Sequence, residues 1–474
     1  MQIKASFALL TLALSLLVEA KQESEWLQRK ITTKGLLRHT DNFQKFSKVY
    51  KGTRVFSTPG HKLTLKYLEG NLKKAGFNVY RHPFVSTYSE TIYAKAAAVV
   101  KGKKQEFPVF GLAYTKSTHK NGIQAEVVNI PNKVGQELSF GCEAGDFDGI
   151  NVKGKIALIS RGVCSANIKS LNAANAGAKA ALIYNDADQE YRGRLAINGT
   201  STLVTGGLSK ASGNAIVELL KQGPLKLDLT IIEKVENRTT HNIIAETRGG
   251  DPNHVVFLGA HSDSVWAGPG INDNGSGSAA LLEVALNLGG RYKVKNKVRF
   301  GWFSAEEYGL LGSYAYVDSL SAEKRKKIAL MLNFDMIASP NYVLRIYNKN
   351  ADGGVSPAGS EVITQDFEKD FQAKSIPYES VPFPYSGSDI GPFAAAGIPS
   401  GGLISGASGI KTEAQVKIFG GTAGKPLDEC YHLACDTTKN LNAKAFLINS
   451  RSIADAVYRY SQDVSAVVKA SGRH

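Results

Sequence analysis

The stretch WFSAEEYGLL sets Glu306 and Glu307 side by side directly after an apolar run. Neighbouring side chains of a strand point to opposite faces, so one site can use both carboxylates only if the chain bends there, as at a strand-to-helix turn. A structural role competes with a chemical one. Ser304 and Glu307 have the spacing of a capping box, which favours a carboxylate at a helix start for electrostatic reasons alone. Four further stretches change the balance: AHSDS carries His261 and Asp263, GINDNGSGS carries Asp273, NFDM carries Asp335, and CYHLACD carries His432. Taken singly, each has a plain explanation: a helix cap for Asp273, a turn for Asp335, a packed imidazole for either histidine. Together they form a set of nitrogen and oxygen donors suited to a borderline-hard divalent ion such as zinc. Two histidines and three or four carboxylates exceed what one four-coordinate ion with an open position can use. Two ions about 3.5–4 Å apart, sharing one carboxylate, use all of them. Asp263, two residues beyond His261 and on the same strand face, is suited to orient that imidazole.

The elements around these residues explain how they could meet. HVVFLGA, KVRFGWFSA and IALMLNFDM read as strands of continuous apolar character, with helices through GSAALLEVALNLGG and through Gly312 to Ser319 between them. Such alternation predicts an α/β fold with a mixed, mainly parallel sheet flanked by helices. Ligands then sit at the carboxyl ends of the strands, where His261, Glu306, Glu307 and Asp335 all fall. Upstream, residues 58–76 read as a helix capped by Thr58, begun by Pro59 and stopped by Gly76. FNVYRH and AKAAAVV read as two strands, and Leu441 to Ser461 as a long amphipathic helix. A different, β-rich texture occupies residues 106–235: GKIALISRGVC as strand and turn, IKSLNAANAGA as a short helix, KAALIYND as a buried strand.

Residues 1–20 have the lysine, apolar core and small-residue end of a secretory signal peptide. Any propeptide cut falls between Lys21 and about Thr58. No later run approaches a membrane span, so a soluble, exported chain without a membrane partner is expected. Four cysteines in an exported protein suggest two disulfides. Three pairings are possible, and the sequence neighbours Cys142–Cys164 and Cys430–Cys435 are preferred. Asn198 and Asn237 stand in glycan acceptor sequences. Asn274 does too, but it lies beside a candidate ligand and is expected to be unmodified. The 57 basic against 42 acidic residues give +15, yet the lysines of KKAGF, KGKKQ and EKRKK are scattered without aromatic interleaving. A solvated basic surface is expected, not nucleic-acid binding.

The order HSD, NDN, AEE, NFDM, YH resembles the co-catalytic zinc aminopeptidases, and among them the fungal secreted and vacuolar members. GKIALISRGVC and NIKSLNAANAGAKAALIYN together resemble the protease-associated domain. The resemblance implies a zinc-exopeptidase fold built from residues 21–105 and 236–474, with an inserted protease-associated domain over 106–235. It implies two zinc ions: His261 and Asp335 on one, Glu307 and His432 on the other, Asp273 bridging and followed by a cis peptide. Glu306 becomes the general base and Tyr431 a hydrogen-bond donor to the oxyanion. The implied partners are peptides with a free N-terminus, and the implied form is a monomer, released to the medium or to a vacuole-like compartment. The segment PFPYSGSDIGPFAAAGIP, residues 382–399, is expected to form a wall of the cleft, with no catalytic role for Ser388 or Asp389. A receptor reading competes, because the transferrin receptor ectodomain resembles the same arrangement without a working metal centre; the completeness of the donor set argues against it. Related carboxypeptidases bring a further helical domain for which the chain leaves no room, and the related cyclases lean on a single zinc.

Overall fold

The computed structural model describes residues 24–132, 140–186, 190–195, 203–348 and 356–473. The expected signal peptide and Asn198 lie outside these residues. The chain divides into two compact units, Met1–Val85 with Thr239–His474, and Ser86–Arg238.

The larger unit contains α1 (Thr33–Ser47), α2 (Pro59–Lys74), the end of β1 (Lys226–Glu246), β2 (Asp251–His261), α3 (Gly275–Leu288), β3 (Asn296–Phe303), α4 (Leu311–Asp318), β4 (Ile328–Phe334), β5 (Arg345–Tyr347), α5 (Ser360–Ala373), β6 (Glu379–Val381), β7 (Ser400–Ile404) and α6 (Ala443–Gln462). The strands lie in the order β6-β5-β7-β4-β2-β3-β1. β2 is central and parallel to both β3 and β4, while β1 and β5 pair antiparallel with their neighbours β3 and β7. All seven residues of β4 are buried, as continuous apolar runs require when helices cover both faces of a sheet. α2 starts as its sequence predicts: Thr58 accepts from the His61 N–H, Pro59 follows, and Leu65, Leu68 and Leu72 face inward.

The segment ahead of α2 belongs to this core. Leu27, Ile31, Leu36 and Phe43 are each no more than 1% exposed and share one cluster with Leu281, Val284 and Leu288 of α3.

The smaller unit has four parallel strands, Ile123–Ile130, Ile156–Ser160, Ala180–Tyr184 and Val204–Leu208, paired in that order. Helices Ala166–Asn175 and Lys210–Gln222 belong to the same unit, and the Cys142–Cys164 disulfide is formed within it. This unit begins at Ser86, earlier than the change of texture at 106. FNVYRH and AKAAAVV are not two strands but parts of one, Asn78–Val100. Its polar stretch masks the continuity, although Tyr88, Ser89 and Glu90 are buried there. No helix among the described residues is long and apolar enough to cross a membrane.

Leu36→Ala removes a fully buried side chain and is expected to lower stability by about 3 kcal/mol, read as a lower urea midpoint at unchanged m-value. An unchanged midpoint would show that this segment is not part of the folded core.

Candidate metal centre

Three adjacent strand ends build the site. β2 ends at His261, which is paired with Phe303, the last residue of β3. β4 ends one residue before Asp335. Beyond β3 the chain turns at Ala305, with φ 58°, and this bend lets neighbouring Glu306 and Glu307 serve one pocket. No capping box forms there. The Ser304 hydroxyl donates to the His241 carbonyl at 2.7 Å, and α4 begins only at Leu311 without a side-chain cap. Met336, directly after Asp335, and His432 also have positive φ, 52° and 59°. Left-handed backbone at residues other than glycine costs about 1–3 kcal/mol each and clusters at functional sites.

The loop before α3 divides its work between two residues. Asn274 is the N-cap, its Oδ1 accepting from the Gly277 N–H at 2.9 Å, so Asp273 is not needed as a cap. The Asp273–Asn274 peptide is cis. Tyr431 and His432 come from a loop closed by the Cys430–Cys435 disulfide, and their rings stack at 3.9 Å.

The candidate side chains converge. Asp273 Oδ1 lies 3.1 Å from His261 Nε2, and its Oδ2 lies 3.0 Å from His432 Nε2. Around the first imidazole, Asp335 Oδ1 approaches Nε2 at 3.5 Å and Glu306 Oε2 at 3.8 Å. Around the second, Glu307 Oε2 stands 3.0 Å from His432 Nε2. His261 is buried, whereas 40% of the His432 side chain is accessible, so the pocket opens on that side. Asp263 Oδ1 lies 3.7 Å from His261 Nδ1, too far for a hydrogen bond, and accepts instead from the Glu306 N–H at 3.2 Å.

The donor set fits divalent metal. Ligand atoms of His261, Asp273 and Glu307, and likewise of His261, Glu306 and Asp335, lie within 4.8 Å of one another. His261 Nε2 and Asp335 Oδ1 are buried yet make no hydrogen bond within the protein. Buried polar atoms left in that state are costly unless something else engages them.

Charge dominates the local chemistry. Burial, followed by the nearby carboxylates of Glu307, Asp335 and Asp389, holds Glu306 well above the ordinary carboxyl range despite the pull of His261. Burial likewise raises Glu307 and the Tyr431 hydroxyl, the latter further lifted by Asp273 and Glu307. Burial opposes charge on Asp273, but its contacts with His261 and His432 outweigh it and keep the carboxyl below the usual range.

Several residues outside the predicted set support the site. Ser388 donates to Asp335 Oδ2 at 2.7 Å and accepts from Asn333 Nδ2 at 2.7 Å. Burial, and behind it the carboxylates of Asp335 and Asp263, push Asp389 up to about 7 against the pull of His261. His61, fully buried, places Nε2 within 3.0 Å of Ser262 Oγ and 3.2 Å of Ser304 Oγ, beside both glutamate and histidine motifs. No side-chain pattern marks His61; its spacing from its partners is visible only in three dimensions.

Residues 242–457 match the model of peptidase family M28, and residues 123–216 match the PA domain. The chain is 44% identical over 443 residues to the probable leucine aminopeptidase 2 of Aspergillus fumigatus, covering 91% of this chain and 84% of that protein. Leucine aminopeptidase 2 of Trichophyton equinum is 41% identical over 445 residues, covering 92% and 86%. Among solved structures, BSAP, a zinc aminopeptidase from Bacillus subtilis, matches with a TM-score of 0.70 at 25% identity over 90% of this chain and 95% of that one. An aminopeptidase from Aneurinibacillus sp. strain AM-1 matches with the same TM-score, 0.70, and 25% identity over 93% and 96%. The chain therefore belongs to peptidase family M28 and carries a PA domain.

The two acceptor asparagines that the structure describes differ sharply. Asn237 is exposed, whereas Asn274 is wholly buried and donates from Nδ2 to the Phe334 carbonyl at 2.9 Å. Peptide mapping of protein from a glycosylating host is expected to find Asn274 unmodified. A glycan on it would contradict the buried loop.

Proposed function

We propose that this peptidase is an exported aminopeptidase that removes N-terminal residues from peptides at a centre holding two zinc ions. The observation that carries this reading is Asp273, whose two carboxylate oxygens each face a different imidazole. His261 and Asp335 would hold one ion with Asp273, and Glu307 and His432 would hold the other. The relatives named leucine aminopeptidase and zinc aminopeptidase support both the reaction and the metal. Two disulfides and the apolar leader support export, since disulfides persist in oxidising compartments.

Two zinc ions, when bound, polarise the scissile carbonyl and acidify a water molecule. Glu306 is assigned to protons and not to metal. Its burial among carboxylates raises its affinity for a proton, which suits a group that takes one from water and returns it to the leaving amine. Tyr431, kept protonated by the same surroundings, donates to the oxygen on which negative charge develops; such a donor contributes about 3 kcal/mol. Asp263 fixes Glu306 by accepting from its backbone N–H, and Ser388 fixes the orientation of Asp335.

Leucine p-nitroanilide and its N-acetyl counterpart test the reading together with Glu306→Gln. The wild-type protein is expected to cleave only the free amine. Glu306→Gln is expected to lose at least about a hundredfold in kcat while retaining zinc. Equal cleavage of the acetylated compound would refute an aminopeptidase, and loss of zinc would move Glu306 into the coordination shell.

A further inference from the structure

We infer that Arg54 and Asp436 are a pair of positioning residues that grip the backbone of the Asp273 loop, one through carbonyls and the other through amides, and so aim its carboxylate; the inference rests on the two-zinc reading above.

Arg54 lies between α1 and α2 and is completely buried. Its guanidinium spends its donors on main-chain carbonyls alone: Nη1 on Ser262, Nε on Pro269 at 2.8 Å and Nη2 on Gly270 at 2.6 Å. One planar group thus ties the residue after His261 to the loop that delivers Asp273. Phe43 of α1 lies against the guanidinium, 5.4 Å from its ring centre, and the Arg54 N–H donates to Ser264 Oγ at 2.9 Å.

Asp436 engages the same loop through the complementary groups. Its Oδ1 accepts from the Asn272 N–H at 2.8 Å and its Oδ2 from the Asp273 N–H at 3.1 Å. The Ile271 N–H donates to the Asp436 carbonyl at 3.1 Å. Asn440 donates to Asp436 Oδ1 at 3.1 Å and also to Asp428, which in turn accepts from Asn272 Nδ2 at 2.7 Å. Asp436 directly follows Cys435, at the end of the disulfide-closed loop that carries Tyr431 and His432. The Pro269 and Gly270 carbonyls therefore accept from Arg54, and the Asn272 and Asp273 amides donate to Asp436.

Two features set this apart from ordinary loop packing. A bridging carboxylate must present one oxygen to each of two centres, which tolerates only about 0.5 Å of error. The charge is also placed for the site: burial lowers the Arg54 guanidinium to about 10, against the pull of the carboxylates of Asp263, Asp436, Asp273 and Glu307. A lysine could not reproduce this clamp, because a single ammonium lacks the rigid fork that spans separate carbonyls.

The test compares Arg54→Lys and Asp436→Asn with wild type, each as the full chain. Zinc stoichiometry, competitive chelation, kinetics, thermal melts and crystal structures are measured in parallel. Both variants are expected to hold both ions about 10- to 100-fold more weakly. At saturating zinc, kcat is expected to fall while KM stays within about threefold of wild type, the pattern of an interaction that matters in the transition state. The Asp273 carboxylate is expected to be displaced in the variant crystals, a readout independent of metal. Variants that bind zinc as wild type does and leave Asp273 in place would overturn the inference, as would kcat losses that only track the unfolded fraction. If Arg54→Lys does not fold, the isosteric Asp436→Asn decides alone. A wild-type protein that binds no zinc pair would instead refute the two-zinc reading, while the position of Asp273 in the variants would still decide the clamp.

Discussion

Asp263, Asp273, Asp335, Glu306 and Asp389 are all buried around one pocket, and Glu307 keeps only 5% of its side chain exposed. Like charges 4 Å apart repel by about 4 kcal/mol at the effective dielectric of a protein, so burial and crowding raise Glu306, Glu307 and Asp389, and nearby positive charge relieves the remainder. His261 and His432 supply part of it within the pocket. Arg54, buried nearby, supplies more. Under the proposed two-zinc reading, two divalent cations would supply the remainder.

The fold meets that demand by exporting rigidity from the sheet. Parallel β2, β3 and β4 release their chains at one edge, so donors far apart in sequence begin within a few ångströms of each other. The chain then leaves the sheet through left-handed residues, Ala305 just before Glu306 and Met336 just after Asp335. His432 comes from a short disulfide-closed loop, Cys430 to Cys435, fastened to the Asp273 loop through Asp436. Fully buried neighbours with a single hydrogen-bonding solution, such as Ser388 between Asn333 and Asp335, leave the carboxylates little freedom.

How much of this could be read from sequence depends on what kind of partner each residue has. His261, Glu306, Glu307 and Asp335 were legible because each follows an apolar strand by at most a few residues, and strand ends of a parallel sheet point to one rim. Asp273 and His432 were legible as polar residues in loops rich in glycine or closed by cysteines. Arg54 was not legible: YKGTRVFSTPG has no periodicity, and its partners are backbone carbonyls, which every residue possesses. Asp436 stood inside a motif already singled out, yet its partners are backbone amides and its role was equally hidden. Asn274 looked like a glycan acceptor and is instead the cap that frees Asp273. The strand Asn78–Val100 was read as two pieces because its buried polar residues, Tyr88 to Glu90, break the hydrophobic alternation on which strand recognition rests.

Anomalous diffraction at the zinc edge from crystals of the intact protein would locate the ions themselves. Two peaks about 3.5–4 Å apart, one beside each oxygen of Asp273, are expected. A single peak, or a pair of peaks that do not flank Asp273, would rule out a carboxylate-bridged zinc pair at this site.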